Sequence, residues 1–330
     1  MKKGIALLIV LVLMFTFVGC SAEKPAGSGD TGPEEIKFPE RTITLVNPWA
    51  PGGSTDVVAR HLANELEGIF GKSVVVVNKT GGSGAIAINE VSKAAPDGYT
   101  LLINDKSFVS SYYMGVTDIH WSEMDPVCRL DAATHTIVVH NDSEWQTAAD
   151  FVAAAKANPG EITIGVSGIG GMSHLTAENF RLAAGIDLKM VSFEGAAESR
   201  TALAGRHIDA VSAQLGEVKS FVDSGDMRML AIADSQRHPA FPDVPTFYEE
   251  GLDFELNQWR AIWAPKGTPR PIIEKLAAAF KEAMESEKFN QLLEETLSQN
   301  LYLGPDDLRT ALEDQDEVLK NLVTDSGLLK

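Results

Sequence analysis

Residues 43–66 read ITLVNPWAPGGSTDVVARHLANEL, and the fold turns on how this stretch is parsed. The apolar, β-branched run 43–47 has the character of a buried strand. Apolar residues at helical spacing follow from Asp56 to Phe70. Between them the chain exposes a proline-flanked pair of glycines and starts its helix with Ser, Thr and Asp. Either this is an ordinary tight turn with an N-cap, or the helix start is kept bare so that unpaired N–H groups and the positive dipole end face an anion.

The same alternation recurs downstream. Strand-like runs lie at 74–78, 100–104, 136–140, 162–166, 188–193, 208–213, 228–233 and 261–264, with helical patterns at 85–95, 147–157, 175–184, 196–204 and 216–224. Strands alternating with helices predict parallel βαβ units in an α/β fold. From Pro271 to Lys330 the period is almost entirely helical, broken at Gly304-Pro305. In such sheets ligands sit at the carboxyl ends of strands, where a loop meets a helix start. Four loops meet that description: 49–56, 79–84, 167–174 (SGIGGMSH) and 194–195.

The N-terminus, MKKGIALLIVLVLMFTFVGC, joins two lysines to an apolar run too short to be a comfortable membrane span and ends at Gly19-Cys20. It reads as a signal peptide over 1–20. Phe17-Val18-Gly19-Cys20 resembles a bacterial lipobox, with Phe17 where leucine is usual, so Cys20 is the expected site of lipidation. Residues 21–40 are rich in Gly, Pro, Ser and charge and read as a flexible tether of roughly 25 Å. Cys128 is the other cysteine, so no disulfide within the chain is expected once Cys20 is acylated. The formal charge of −18 becomes −20 without Lys2 and Lys3, which removes nucleic acid as a partner. About 290 remaining residues favour two lobes over one core.

Enzyme motifs fail on residues their chemistry needs. Gly71-Lys72-Ser73 would place the first P-loop glycine at Leu66, inside a helix, and Gly165-Val166-Ser167-Gly168 has Ile169 where a nucleophile elbow requires glycine. Gly82-Ser83-Gly84 fits a loose dinucleotide pattern, but Asn78, Lys79 and Thr80 lengthen a turn that should be tight. His135 and His140 face opposite sides of a strand and cannot pair on a metal. No triad, metal set or cofactor motif emerges; His174, just inside a helix start, suits a ligand-facing or a capping role.

Four blocks then carry a resemblance: residues 43–60, 74–102 (VVVVNKTGGSGAIAINEVSKAAPDGYTLL), 149–180 (ADFVAAAKANPGEITIGVSGIGGMSHLTAENF) and 238–276 (HPAFPDVPTFYEEGLDFELNQWRAIWAPKGTPRPIIEKL). In order and in register, they are similar to the substrate-binding proteins of tripartite tricarboxylate transporters, the TctC or Bug family. That resemblance implies a two-lobed periplasmic-binding-protein type II fold with a ligand cleft between lobes. Lobe 1 would take 41–126 plus 253–330, and lobe 2 would take 127–252. It implies a small carboxylate ligand and permease subunits as membrane partners; with the failed enzyme motifs and the N-terminal signal, the expectation is a non-catalytic monomer, extracytoplasmic on its lipid anchor. A receptor that signals instead of feeding a permease has the same features, and an extracytoplasmic hydrolase stays open through Ser167 or Ser173.

By the same resemblance, the ligand contacts are expected from Trp49, Ala50, Gly52, Gly53, Ser54 and Thr55, with Asp56 fixing the helix start. From the second glycine block come Asn78, Gly81, Gly82 and Ser83, and from the third Ser167, Gly168, Gly170, Gly171, Met172, Ser173 and His174. Trp49 stands where the family often has Phe, as a wall over the ligand or as plain packing. The block at Ser192-Phe193-Glu194-Gly195 departs from the family in placing Glu194 before Gly195; facing the cleft it would favour an amine or neutral far end, and facing solvent it would select nothing. Trp259 and Trp263 match a family block and read as packing or hinge residues.

Overall fold

A computed structural model describes residues 37–254 and 256–328. The apolar N-terminal run, Cys20 and most of the expected tether lie outside the described residues. The tether expectation ends too late: Phe38 is 5% exposed and its ring sits 6.3 Å from Phe70 and 5.0 Å from Tyr99. Among the described residues no helix is long and apolar enough to cross a membrane.

The strands are β1 (Ile43–Asn47), β2 (Val74–Asn78), β3 (Thr100–Asp105), β4 (Met124–His140), β5 (Thr163–Ser167), β6 (Lys189–Phe193), β7 (Ala210–Gln214), β8 (Met227–Ile232), β9 (Asn257–Pro265) and β10 (Ser298–Leu303). The helices are α1 (Ser54–Phe70), α2 (Ala85–Ser92), α3 (Ser107–Tyr113), α4 (Ala148–Ala157), α5 (Met172–Ala184), α6 (Ala196–Ala204), α7 (Leu215–Asp223), α8 (Arg270–Met284), α9 (Glu287–Glu295) and α10 (Pro305–Asp325). One sheet runs β2-β1-β3-β9-β4-β7-β5-β6, with β10 and β8 also paired to β4.

The sheet is mixed where parallel units alone were expected. β2-β1-β3 and β7-β5-β6 are parallel groups, but β9 runs antiparallel to both β3 and β4, and β7 runs antiparallel to β4. The reason lies in β4, a 17-residue strand expected only over its last five residues. Its first part pairs with β9 and its last part with β7 and β8, so it carries the chain from one half of the sheet to the other. The expected division at 126/127 falls inside this strand. Pro126 and two bulges interrupt its register, which hid its length from pattern reading.

Two further expectations are corrected. Residues 298–303, read as helical, form β10 against β4. Leu301 and its neighbours are largely exposed edge positions, so they lack the alternating apolar pattern of a half-buried strand. Helix α3 was not anticipated because its SFVSSYY sequence lacks strong helix formers. Each half keeps its own core. One packs Val46, Phe108 and Trp263 with Leu308 and Leu312 of α10; the other stacks Phe151, Phe180, Phe247 and Phe254 with centroids 4.6–5.6 Å apart.

Across the middle lies a buried ion pair. Arg260 on β9 donates through Nε to Asp131 on β4 at 2.8 Å and through its Nη2 to the other carboxylate oxygen, and the side chains are 1% and 0% exposed.

Candidate functional site

The loop after β1 is held by a network around Asp56. Its Oδ2 accepts from the Gly52 N–H and Arg60 Nε, both at 2.9 Å, and its Oδ1 from Asn78 Nδ2 at 2.8 Å. Burial would raise the Asp56 carboxyl, but these donors outweigh it and hold the group below the usual carboxylate range. Asn78 also donates to the Trp49 carbonyl at 2.9 Å, fastening β2 to the loop. Gly52 takes φ +78°, a conformation glycine reaches without strain. With Asp56 drawn back to the loop, Gly53 caps α1 with no side-chain hydrogen bond.

The loop after β5 repeats the arrangement with other means. Ser173 Oγ accepts from the Ser167 N–H and shares a hydrogen bond with Ser167 Oγ, both at 2.8 Å. His174 Nδ1 accepts from the Gly170 N–H at 3.1 Å. That bond requires an unprotonated Nδ1, and burial with nearby Arg181 pushes the His174 pKa down to about 4, so the 3.7 Å approach of Nε2 to Glu178 is not a charged pair at neutral pH. Gly171 caps α5, again without a side-chain bond. After β6, Gly195 caps α6 the same way, while Glu198 turns back to accept from the Glu194 N–H at 3.2 Å.

These three bare helix starts open on one cavity of about 320 Å³. Its walls include Ser54 and Thr55 from α1, Met172 and Ser173 from α5, and Ala196 and Ala197 from α6. Each start presents N–H groups with no intrahelical partner and the positive end of a helix dipole. Together they form a preorganised site for a negative group.

The cavity's other wall is polar. Gln214 Nε2 donates to Gln258 Oε1, and Gln258 Nε2 donates to Asp105 Oδ2, each at 2.9 Å. Asp105 also accepts from the N–H and Oγ of Ser107. Burial raises its pKa against these bonds. His135 lies directly across the ladder from Gln214, 2% exposed, and burial together with Arg260 lowers its pKa to about 3, which keeps it neutral. Glu198, in the first turn of α6, and Glu217, in the first turn of α7, complete the charged groups that line the cavity. Among the described residues, no lysine or arginine lines the cavity.

Trp49 divides the site. Its ring passes about 3.5–4.0 Å from where side chains would begin at Gly84, Gly168 and Gly171, so glycine at those positions leaves room for the indole. Its Nε1 is buried without a hydrogen-bond partner, yet near enough to Asp105 to favour that group's charged form. Beyond the ring lies a second cavity of about 270 Å³, lined by Thr80, Gly81, Gly82, Ser83, Gly168, Phe193 and Glu194 among others.

Of the residues expected at the site, Trp49, Ala50, Gly53, Ser54, Thr55, Ser167, Gly171, Met172, Ser173 and Gly195 border the first cavity. Gly81, Gly82, Ser83, Gly168 and Glu194 border the second, and Trp49 borders both. Gly52, Asp56, Asn78, Gly170 and His174 border neither; apart from the tightly packed Gly170, whose N–H His174 holds, they brace the loops through the bonds given above. Sequence reasoning missed Asp105, His135, Glu198, Gln214, Glu217 and Gln258. Asp105 and Gln214 end strands β3 and β7, a signal the carboxyl-end rule could have used. His135 and Gln258 reach the site only through antiparallel pairing, which no local pattern announces.

The profile of the tripartite tricarboxylate transporter family receptor matches residues 58–328. Over 323 residues the chain is 30% identical to protein BugT of Bordetella pertussis, covering 96% of this chain and 97% of BugT. Among solved structures it is similar to the periplasmic binding protein BugD, with TM-score 0.84 and 30% identity over 89% of this chain and 100% of that one. It is also similar to MatC from Rhodopseudomonas palustris with bound malate, with TM-score 0.81 and 26% identity over 87% of this chain and 100% of that one. The mixed sheet and its long crossing strand are thus the fold of the periplasmic binding proteins, and the chain belongs to the tripartite tricarboxylate transporter receptor family.

Proposed function

We propose that this chain is an extracytoplasmic solute receptor that binds a small carboxylate-bearing molecule in the 320 Å³ cavity and delivers it to a membrane permease. The observation that carries the reading is the convergence of three helix starts, capped by Gly53, Gly171 and Gly195 without side-chain bonds, on one cavity. Backbone amides of α1, α5 and α6 hold the ligand carboxylate, with the hydroxyls of Ser54 and Thr55 beside them. A site built from amides and dipoles binds an anion without a buried arginine, which suits a carrier that must release its cargo. The malate bound to the similar MatC supports a carboxylate as the ligand class.

The β2-β1-β3-β9 part of the sheet with the first part of β4, and the β7-β5-β6 part with the last part of β4, act as the two lobes and close as a hinge about the crossing strands. Ligand favours the closed form through contacts it makes only there. Contacts between the loops support this reading: a side chain at Gly195 would start 3.0 Å from Ala50 Cβ, and Trp49 reaches Gly168 and Gly171. Cys20 carries the lipid that keeps the receptor at the membrane. No catalysis is assigned: Ser167 and Ser173 hydrogen-bond each other, and His174 Nδ1 is taken by a backbone N–H rather than by a serine.

Thermal shift of the full-length chain in mild detergent, against tricarboxylates, dicarboxylates, aromatic acids and amino acids, tests the reading. A ligand at a hundred times its Kd adds about 2.7 kcal/mol of stability. Silence across every carboxylate, after unfolding and refolding to strip co-purified ligand, overturns it.

A further inference from the structure

Three carboxylates, Asp105, Glu198 and Glu217, line the same cavity as the three helix starts. They are not equivalent. Glu217 is balanced by Arg200 at 3.6 Å and accepts from the Gln214 N–H at 3.2 Å. Asp105 is bound to Ser107 and Gln258, both neutral, and Arg260, whose charge bears on it, is committed to Asp131. Glu198 accepts only the Glu194 N–H and has no ion-pair partner among the described residues. His135, buried in the same wall with its Nδ1 unpartnered, is neutral and offers no compensating charge.

The cavity therefore combines helix starts that favour an anion with acids beside them, Asp105 at the end of β3 and Glu198 in the first turn of α6 itself, and at least one of these carboxylates is unbalanced. Among the described residues these acids do not gather into a group able to hold a metal ion. A second ligand carboxylate would have to crowd these acids or compete for the same helix starts, and like charges brought together in a partly closed site repel. An ammonium group supplies the missing cation and its N–H donors suit Glu198 and the Gln214-Gln258-Asp105 chain.

Resting on the receptor reading of the cavity, we infer that the cargo is a zwitterion, a small amino-carboxylate, and that Glu198 and Asp105 are the residues that select it over dicarboxylates. Glu194, which the sequence put forward as selective if it faced the cleft, borders the second cavity and not the first.

Isothermal titration of the full-length chain in detergent tests this with matched probes: 3-aminopropanoate against succinate, 4-aminobutanoate against glutarate, and glycine, alanine, serine and glutamine beside malate and citrate. The expected result is at least one zwitterion bound about tenfold or more tighter than any dicarboxylate in the set. Glu198→Gln, which keeps an acceptor for the Glu194 N–H, lowers that preference about fivefold or more, and Glu198→Asp retains it. Asp105→Asn gives a second, independent reading of the same ratio. A dicarboxylate bound as tightly as every zwitterion overturns the inference and leaves the receptor reading intact. So does an unchanged ratio in both Glu198→Gln and Asp105→Asn. Binding of none of the probes overturns both.

Discussion

Substituting Gly171 by alanine isolates the role of one helix start. The backbone there, φ −71° and ψ 168°, is open to any residue, so the effect is steric rather than conformational. A Cβ would stand 2.9 Å from the Ser167 carbonyl oxygen, 3.3 Å from that of Gly168 and 3.6 Å from the Trp49 ring, where ordinary contact begins at 3.4 Å. Two of the three obstacles are backbone, so the start of α5 must retreat by about 0.5 Å. That is the tolerance within which a binding group has to be held. Losing one amide bond to a charged ligand costs about 1.5–3 kcal/mol, or roughly 10- to 100-fold in Kd. The added methyl also costs about 1–3 kcal/mol of stability. Titration of whichever carboxylate binds the parent chain reads the first effect, and urea unfolding without ligand reads the second. Gly68→Ala is the control, since nothing lies within 4 Å of a Cβ there and the residue sits inside α1. It should stabilise by about 0.5–1 kcal/mol and leave Kd unchanged. A folded Gly171→Ala protein with parental Kd would refute the assignment of α5 to the anion site.

Asp131→Ala should lose about 3–5 kcal/mol, because it leaves the buried Arg260 uncompensated, and its melting temperature should fall by on the order of 10 °C. The double replacement Asp131→Leu with Arg260→Met should recover most of that; a single variant within about 1 kcal/mol of the parent would contradict the pairing. Gly216→Ala should destabilise by about 1–3 kcal/mol despite its better helix propensity, because its Cβ would fall 2.6 Å from the Thr296 carbonyl carbon and 2.9 Å from its Cα. An equal or higher melting temperature would show that the α7 contact can yield. On acidification, the unfolded chain takes up protons at His135 and His174 below about pH 6.5, whereas the folded chain resists until about pH 3 and 4. Stability contributed by these neutral imidazoles is therefore present above that window and falls as pH drops through it, by about 1.4 kcal/mol per pH unit for each group. Urea midpoints from pH 7 to 5 should show a shallower loss in His174→Gln than in the parent, and equal slopes would contradict the assignment.

The parallel halves of the sheet were legible because β1, β2, β5 and β6 are short apolar runs followed by glycine loops and helix starts. What escaped had a common cause. β4, β9 and β10 are antiparallel, and the pairing of β9 and β10 depends on residues more than a hundred positions apart, such as Ser298 with Ala133. The site divided along the same line. Loops 49–56 and 167–174 were readable from glycines and hydroxyls beside helix patterns. The polar and acidic lining was not, since His135 lies inside β4, Gln258 near the start of β9, and Glu198 and Glu217 resemble ordinary first-turn acids. Glu194 stands out in the sequence because it departs from the family's block before Gly195 and would select only if it faced the cleft; it borders the second cavity and not the first.

The central claim is that one cavity holds an anion on the starts of α1, α5 and α6. Its most direct test is a crystal structure of the chain with the tightest carboxylate found by titration. The account predicts the carboxylate oxygens within hydrogen-bond distance of backbone N–H groups at Ser54 or Thr55 and at Met172 or Ser173, with Trp49 against the ligand. A carboxylate seated beyond Trp49, in the cavity of Ser83 and Glu194, or on side chains alone, would contradict it.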